Sequence, residues 1–183
     1  ILFSPESIKN VINNALLNEL DSTKSVKTAT GYRHFDYHSE IVESSETELI
    51  TSIKSRNINL QQKLLSCDLL IVTFGTAWTY KLKNSTTYVA NCHKVSADQF
   101  QKELLDLNEQ FQEWSTLIES LLERNPKLKV ILTVSPVRHG KDGLHENNIS
   151  KGVLHQLVDK LIRRFESVVY FPSYEIVIDE LRD

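Results

Sequence analysis

The chain has 183 residues, enough for one domain with a full hydrophobic core, and its 40% hydrophobic and 25% charged residues are typical of a globular protein. A formal net charge of -3, with basic residues dispersed along the sequence, argues against nucleic acid as a partner. No apolar stretch approaches the roughly 20 residues that span a bilayer, and no signal-peptide pattern is present. Two cysteines are too few for a disulfide framework, so we expect a cytoplasmic protein.

The first part of the sequence predicts two helices and a strand. Apolar residues recur at helical spacing over residues 4–20, which begin with a capping serine and a proline. Residues 28–38 lack clear periodicity, and we interpret them as a loop with one short strand. A second helix over residues 46–66 leads directly into a strand over residues 68–75, whose apolar core is Leu69–Phe74.

The rest of the sequence continues to alternate strands with helices. Its predicted elements are a small hairpin over residues 79–90, the longest helix over 96–124, a strand over 129–135, a polar loop over 139–148, a helix over 149–165, a third strand over 168–171, and the start of a helix over 172–181. Asn125-Pro126 ends the longest helix, because the residue before a proline disfavours helical backbone. The first two long strands and their crossover form a βαβ unit, for which a right-handed connection is the rule.

This alternation predicts an α/β fold in three layers, with helices on both faces of a largely parallel sheet and the hairpin as an insertion. No internal repeat, low-complexity tract or linker is present, so we expect a single domain over residues 1–183. In open parallel sheets, ligands bind beyond the carboxyl ends of the strands. The turns after the two apolar strand runs, 69–74 and 130–134, are therefore the first candidates for a site.

Gly75 and Thr76 directly follow the first of these runs. A glycine at a strand end permits positive φ or a close backbone approach, and we expect the amides of this turn to donate to an anion or an oxyanion. A simple tight turn is the alternative interpretation of the pair.

The segment Asn91-Cys92-His93-Lys94 places four polar side chains just after the predicted hairpin. Four adjacent residues cannot all face one site, so we expect Asn91 or His93 to be a hydrogen-bonding site residue, with Lys94 as a lining residue. The C-x-x-C and H-x-x-x-H spacings are absent, so we expect no metal site.

The second strand run leads into a segment with three further candidates. Ser135, Arg138 and His139 place a hydroxyl, a guanidinium and an imidazole near the expected crevice. Arg138 suits a carboxylate or a phosphate, and a structural ion pair is the alternative. Ser135 precedes a proline and lacks a nucleophile-elbow context, so we do not expect it to be a nucleophile. His38 lies in a loop, where it faces solvent or completes the site.

Several ordered motifs along the chain resemble the GSCFA family. They lie at residues 1–5, 73–78, 91–94, 135–139, 141–143, 146–148, 150–151, 170–175 and 179–183. That family is named for a Gly-Ser-Cys-Phe-Ala motif and is regarded as similar to the SGNH (GDSL-like) hydrolases. The resemblance implies a flavodoxin-like α/β/α sandwich of the SGNH type.

The resemblance also implies a serine hydrolase or acyl-transfer enzyme without a cofactor, acting on an ester such as an acylated carbohydrate. In SGNH-like enzymes the nucleophilic serine follows the first strand and the base lies in an Asp-x-x-His segment. Neither motif occurs in this sequence, so we expect both beyond its ends, in a domain truncated at both termini. Gly75 and Thr76 would correspond to the oxyanion or substrate-binding turn. Asn91 is an alternative donor, because Gly-Thr-Ala-Trp replaces the usual Gly-x-Asn-Asp.

A non-catalytic binding domain is the alternative interpretation. In it, Arg138, His139, His93 and Lys94 hold a small anionic ligand, and no bond of that ligand is broken. The two hypotheses differ in whether the protein turns over an ester or only binds.

Overall fold

The computed structural model describes residues 2–138, 140 and 143–181. Its elements, in chain order, are α1 (Pro5–Leu17), β1 (Ser25–Thr28), β2 (Gly31–His34), α2 (Glu46–Ser66), β3 (Leu69–Phe74), β4 (Trp78–Leu82), β5 (Tyr88–Val89), β6 (Phe100–Leu104), α3 (Leu107–Arg124), β7 (Lys129–Val134), α4 (Leu144–Arg164) and β8 (Val168–Tyr170). The fold is therefore mixed α/β, with one parallel sheet of three strands and two smaller antiparallel sheets. No helix of these described ranges is long and apolar enough to cross a membrane.

The chain forms two compact units, each assembled from separate stretches of sequence. Unit 1 is built mainly from Glu6–Lys63 and Thr79–Glu103. Unit 2 is built from Phe3–Pro5, Leu64–Trp78 and the described residues from Leu104 onward.

Unit 1 contains a hairpin that the sequence interpretation missed in part. Strands β1 and β2 pair antiparallel, with Thr28 opposite Gly31. The short strand predicted within residues 28–38 is β2, whereas its partner β1 covers residues 25–28 and was not predicted. Gly31 has a φ of 133°, and a Cβ at this position would lie 2.5 Å from the backbone oxygen of Glu43. Strands of four residues are too short to give a readable alternation, which explains the omission.

The second sheet of unit 1 has the strand order β5–β4–β6. The predicted hairpin is confirmed, since Tyr80 pairs with Val89 across β4 and β5. The predicted helix over residues 96–124 is wrong in its first part, because residues 100–104 form strand β6. Helix α3 begins only after Asp106, whose carboxylate accepts from the backbone amides of Asn108 and Glu109 at 2.9 Å. An aspartate that accepts from the first backbone amides in this way favours the start of a helix at the next residue.

Unit 2 contains the parallel sheet, in the order β3–β7–β8. Its central strand β7 is buried, and Phe74 of β3 packs edge-on against Trp114 of α3 with ring centroids 4.9 Å apart. Strand β3 is covered on one face only, because Leu69 and Ile71 are exposed on its other face. An alternating burial pattern of this kind is that of a strand covered on one face.

Two further expectations concern the C-terminal part of unit 2. Helix α4 begins at Leu144 rather than at residue 149, so the second half of the predicted polar loop is helical. Gly143 precedes it with a φ of 95°, which favours glycine. The predicted helix after residue 172 is confirmed as one α-helical turn, Ser173–Glu175, followed by a π-helical turn, Ile176–Glu180.

Candidate functional site

The turn after β3 brings two backbone amides to one oxygen. The amides of Gly75 and Thr76 donate to the backbone carbonyl of Phe3 at 2.7 and 3.2 Å. A Cβ on Gly75 would lie 3.2 Å from that carbonyl oxygen, so glycine is needed here for close approach rather than for positive φ. Both amides bind the same oxygen, which Phe3 supplies in this structure.

The side chain of Thr76 is also fully engaged in unit 2. Its hydroxyl lies 3.1 Å from the hydroxyl of Ser150 and accepts from the amide of Trp78 at 3.0 Å. Ser150 in turn accepts from the amide of Ala77 at 2.7 Å. These bonds fix the path of the chain between β3 and β4 against helix α4.

A buried lysine joins the carboxyl ends of two parallel strands. Lys151 of α4 is 3% exposed, and its ammonium donates to the backbone oxygens of Gly75 and Ser135, both at 2.6 Å. Burial lowers the pKa of this ammonium to about 8. The sequence interpretation did not single out Lys151 as a site residue. Its signal was position, because it lies on the buried stripe of α4 with Asn147 and Leu154.

The other candidates after β7 are not gathered around this lysine. Ser135 accepts from the amide of Val137 at 3.2 Å through its hydroxyl, and Arg138 is exposed. Across the described ranges, Arg138 forms no salt bridge. His139 lies outside the described residues.

Unit 1 contains a cavity of about 780 Å³ that we call the cationic cavity. Its lining residues are Lys27, Thr28, Ala29, Thr30, Arg33, Ser39, Asn91, His93, Lys94 and Val95. The structure therefore brings together three predicted residues, Asn91, His93 and Lys94. The sequence interpretation missed Lys27 and Arg33, because the hairpin that carries them was not recognised.

His93 is held in one orientation at this cavity. Its Nε2 lies 2.7 Å from the backbone oxygen of His34, and a carbonyl can only accept, so Nε2 carries the proton. The ring stacks on Phe35 with centroids 6.0 Å apart. Its Nδ1 is buried and has no hydrogen-bond partner within the described part of the chain. His93 thus has no N–H left to offer an anion.

Burial lowers the pKa of His93 below its ordinary value, and the Arg33 guanidinium lowers it further, while the bond to the His34 carbonyl opposes the shift. A proton on Nδ1 would also be a buried donor without an acceptor. The imidazole is therefore neutral at neutral pH. Its expected role as a direct anion ligand gives way to a structural role in the cavity wall.

The turn that carries His93 and Lys94 has an unusual backbone. His93 has a φ of 50° and Lys94 a φ of 60°, the combination of a type I′ turn, in which glycine and asparagine are preferred. The amide of Val95 donates to the oxygen of Cys92 at 2.9 Å, and the amide of His93 donates to the Asn91 side chain at 3.0 Å. Two such residues cost on the order of 1 kcal/mol each. The turn therefore places two side chains at the cavity, although glycine at these two positions would be less strained.

The cations of the cavity come from three places in unit 1. Lys27 and Arg33 lie on opposite strands of the β1–β2 hairpin, and Lys94 lies in the turn after β5. The register places the Lys27 and Arg33 side chains on opposite faces of the hairpin, and the Lys27 ammonium lies over the Tyr32 ring, 5.7 Å from its centroid. The Arg33 guanidinium donates to the hydroxyl of Thr30 at 2.9 Å and to the backbone oxygen of Ser39. Arginine has five N–H groups, so others remain for a ligand.

His38 does not line the cationic cavity. It lies at a smaller cavity with Glu40, Ile41 and Arg56, and its Nδ1 is 3.5 Å from the Glu40 carboxylate. No group of three or more metal-ligating side chains in the described ranges is arranged to hold a metal ion.

The whole sequence also identifies the family of the chain. A model of the GSCFA family matches residues 1–183. The chain belongs to the GSCFA family. No curated protein and no solved structure matches this GSCFA chain.

The buried Lys151 of the GSCFA chain predicts a pH dependence of stability. Its pKa is about 8 in the folded state against 10.5 unfolded, so between these values the unfolded chain binds the proton more strongly. The free energy of unfolding should therefore rise with pH over this window, by at most about 3 kcal/mol. Below pH 8 both states are charged, and the whole cost of burial remains.

Urea unfolding of the wild type and of Lys151→Met at about pH 8 and about pH 10 measures this effect. We expect the wild type to gain stability relative to the variant as the pH rises, because only the wild type loses a buried charge. Parallel pH profiles for the two proteins would contradict the lowered pKa.

Proposed function

We propose that unit 1 binds a small anionic ligand in the cationic cavity. One observation carries the proposal: Arg33 and Lys94 line a single cavity, and neither of them pairs with a carboxylate in the described ranges. Like charges at one cavity repel each other, at about 1 kcal/mol per pair 4 Å apart in water and more where water is excluded. An anion that binds between them removes this repulsion.

The size of the cavity supports an organic ligand. A volume of about 780 Å³ falls in the range of small-molecule sites, roughly 300–1,000 Å³, and far exceeds the space that one oxyanion fills. Thr28, Thr30 and Asn91 add neutral hydrogen-bonding groups to the same wall. The ligand we propose therefore has an anionic group for the cations and a polar body for the remaining space.

This proposal changes the residues of the binding hypothesis. Lys94 keeps its predicted role, and His93 becomes a part of the wall. Arg138 does not line this cavity, and Arg33 takes the anion-binding role that the sequence assigned to it.

Isothermal titration of the full-length protein with inorganic sulfate tests the proposal. We expect Lys94→Gln to weaken sulfate binding about 3- to 10-fold, because one of the two cations, Arg33 and Lys94, is lost. Lys83→Gln is the matched control, since Lys83 is an exposed lysine of unit 1 outside the cavity lining, and it should bind as the wild type does. Absence of binding, or equal loss in both variants, would contradict the proposal.

A second candidate function is ester hydrolysis or acyl transfer in an α/β/α sandwich of the SGNH type. GSCFA membership supports it, as do the parallel order of β3, β7 and β8 and the amide pair of Gly75 and Thr76. In this proposal a motif serine attacks the ester carbonyl, a histidine takes the serine proton, and amides bind the oxyanion. A substrate oxygen would have to take the place of the Phe3 carbonyl at the amides of Gly75 and Thr76.

Turnover of short acyl esters by the full-length protein tests this second function. The control is a variant in which alanine replaces the serine of the family's Gly-Ser-Cys-Phe-Ala motif. We expect this variant to lose ester hydrolysis because the acyl-enzyme cannot form. Equal turnover in the two proteins would contradict serine catalysis.

A further inference from the structure

Two buried histidines of unit 1 are joined by one hydrogen bond, and both are held as neutral rings. His34 is 1% exposed and His93 is 5% exposed. The Nε2 of His34 donates to the backbone oxygen of Asp21 at 2.9 Å, and its Nδ1 accepts from the amide of Asp36 at 3.2 Å. The Nε2 of His93 donates to the backbone oxygen of His34 at 2.7 Å. Each ring carries its proton on Nε2, because a carbonyl oxygen can only accept.

Neither ring can take a second proton where it lies. A proton on Nδ1 of His34 would face the Asp36 N–H that already binds there, so two donors would oppose each other. A proton on Nδ1 of His93 would be a buried charged donor without an acceptor in the described part of the chain. His93 therefore gains a proton only when its ring leaves the cavity wall, and leaving breaks the bond to the His34 oxygen.

The surroundings of the two rings also disfavour their charged forms. Burial is the main reason that the pKa of each histidine lies below its ordinary value. The other charged and titratable groups that act on the pair are Asp21, Lys24, Arg33, Asp36 and His38. Of these, Arg33 and His38 lower the pKa of His93 further, whereas the two aspartates favour a proton on His34. The carboxylates thus act on the histidine outside the cavity lining.

The turn that carries His93 is strained and attached mainly at its start. The amides of Ala90 and Asn91 donate to the backbone oxygen of Phe35 at 2.9 and 3.1 Å. The next two residues after Cys92, His93 and Lys94, have φ values of 50° and 60°, so release of the turn removes a local backbone cost. Segments with few attachments and local strain are those that open without global unfolding.

We propose that the turn over residues 91–95 is a pH switch of the cationic cavity. Below about pH 6, His93 takes a proton from solvent on Nδ1, its ring leaves the wall, and the turn separates from the end of β2. Lys94 moves away from Arg33 with the turn, so the cavity loses one of its two cations. No covalent bond is made or broken. The loss of anion affinity rests on the function proposed above, whereas the movement of the turn does not.

Hydrogen exchange of the full-length protein without added anion tests the movement. Protection factors compare each amide with an unstructured peptide at the same pH, which cancels the pH dependence of exchange itself. If His93 has a pKa of about 6.5 in the open turn, the open population gains about 30-fold between about pH 7.5 and pH 5. We expect the protection factors of Ala90 and Asn91 to fall by up to that factor, because their bonds to Phe35 break on opening.

The amide of Lys83 is the matched control within unit 1. It donates to the backbone oxygen of Gln99 at 2.9 Å and is not part of the turn, so its protection factor should stay constant. Constant protection at Ala90 and Asn91, or an equal fall at Lys83, would overturn the switch.

The variant His93→Gln assigns the switch to this histidine. Glutamine retains an N–H donor for the His34 oxygen and does not titrate, so the protection factors of Ala90 and Asn91 should be the same at both pH values. The same fall in the variant as in the wild type would overturn the role of His93. The wild-type profile decides on the switch by itself if this variant does not fold.

Titration with inorganic sulfate connects the switch to the cavity, since sulfate keeps both charges over this pH range. A histidine protonated in place would add a cation and tighten sulfate binding in acid. The switch predicts the opposite: at about pH 5 the wild type should bind sulfate severalfold more weakly relative to His93→Gln than at about pH 7.5. His34 and His38 are present in both proteins, so their titration cancels in this comparison.

The two experiments separate the switch from the proposed function. Equal or tighter relative binding by the wild type at about pH 5 would overturn the switch. A fall in protection at Ala90 and Asn91 without sulfate binding at either pH would support the switch and overturn the proposed anion binding.

Discussion

The hydrogen bond from His93 Nε2 to the backbone oxygen of His34 is the constraint on which the cationic cavity depends. It joins the turn after β5 to the end of β2, and the neighbouring amides of Ala90 and Asn91 add two bonds to the oxygen of Phe35. The same bond settles the tautomer of the imidazole and leaves its Nδ1 without a proton. The imidazole therefore forms part of the wall of the cavity, and the strained turn that carries it also carries Lys94.

Unit 2 depends on a different polar contact. Lys151 binds the backbone oxygens of Gly75 and Ser135, the residues that directly follow β3 and β7, at the edge of a parallel sheet where ligand sites usually lie. Burying an ammonium between neutral carbonyls is costly, because no carboxylate in the described ranges compensates its charge. Beside it, the amide pair of Gly75 and Thr76 is occupied by Phe3. The hydrogen-bonding groups at the strand ends are thus paired within the protein, whereas the cationic cavity is open.

The sequence predicted the elements that have long periodic patterns or clear ends. Helix α2 and the central strand β7 were located closely, and the Gly-Ser-Cys-Phe-Ala family resemblance is confirmed by the family match. Strand β6 was mistaken for helix because Phe100 and Leu104, four residues apart, fit a helical stripe as well as a strand. The polar start of α4 was mistaken for loop because Asn147 is buried in the helix rather than exposed beside it.

The candidate site was predictable only in part, because tertiary contacts bring some of its residues together. Asn91, His93 and Lys94 form one local motif, so they could be selected from the sequence alone. Lys27 and Arg33 join them only through a hairpin of four-residue strands, and the tautomer of His93 depends on a backbone oxygen 59 positions away in the chain. Local patterns do not encode contacts of this range.

A titration of the ¹⁵N-labelled full-length protein with inorganic sulfate, followed by amide NMR, tests the central claim most directly. The account predicts that the amides of Arg33, Asn91, His93 and Lys94 shift together and saturate with one dissociation constant. Shifts confined to Gly75, Thr76 and Ser135 would place the anion at the strand ends of unit 2 and contradict the account, as would a spectrum that does not change.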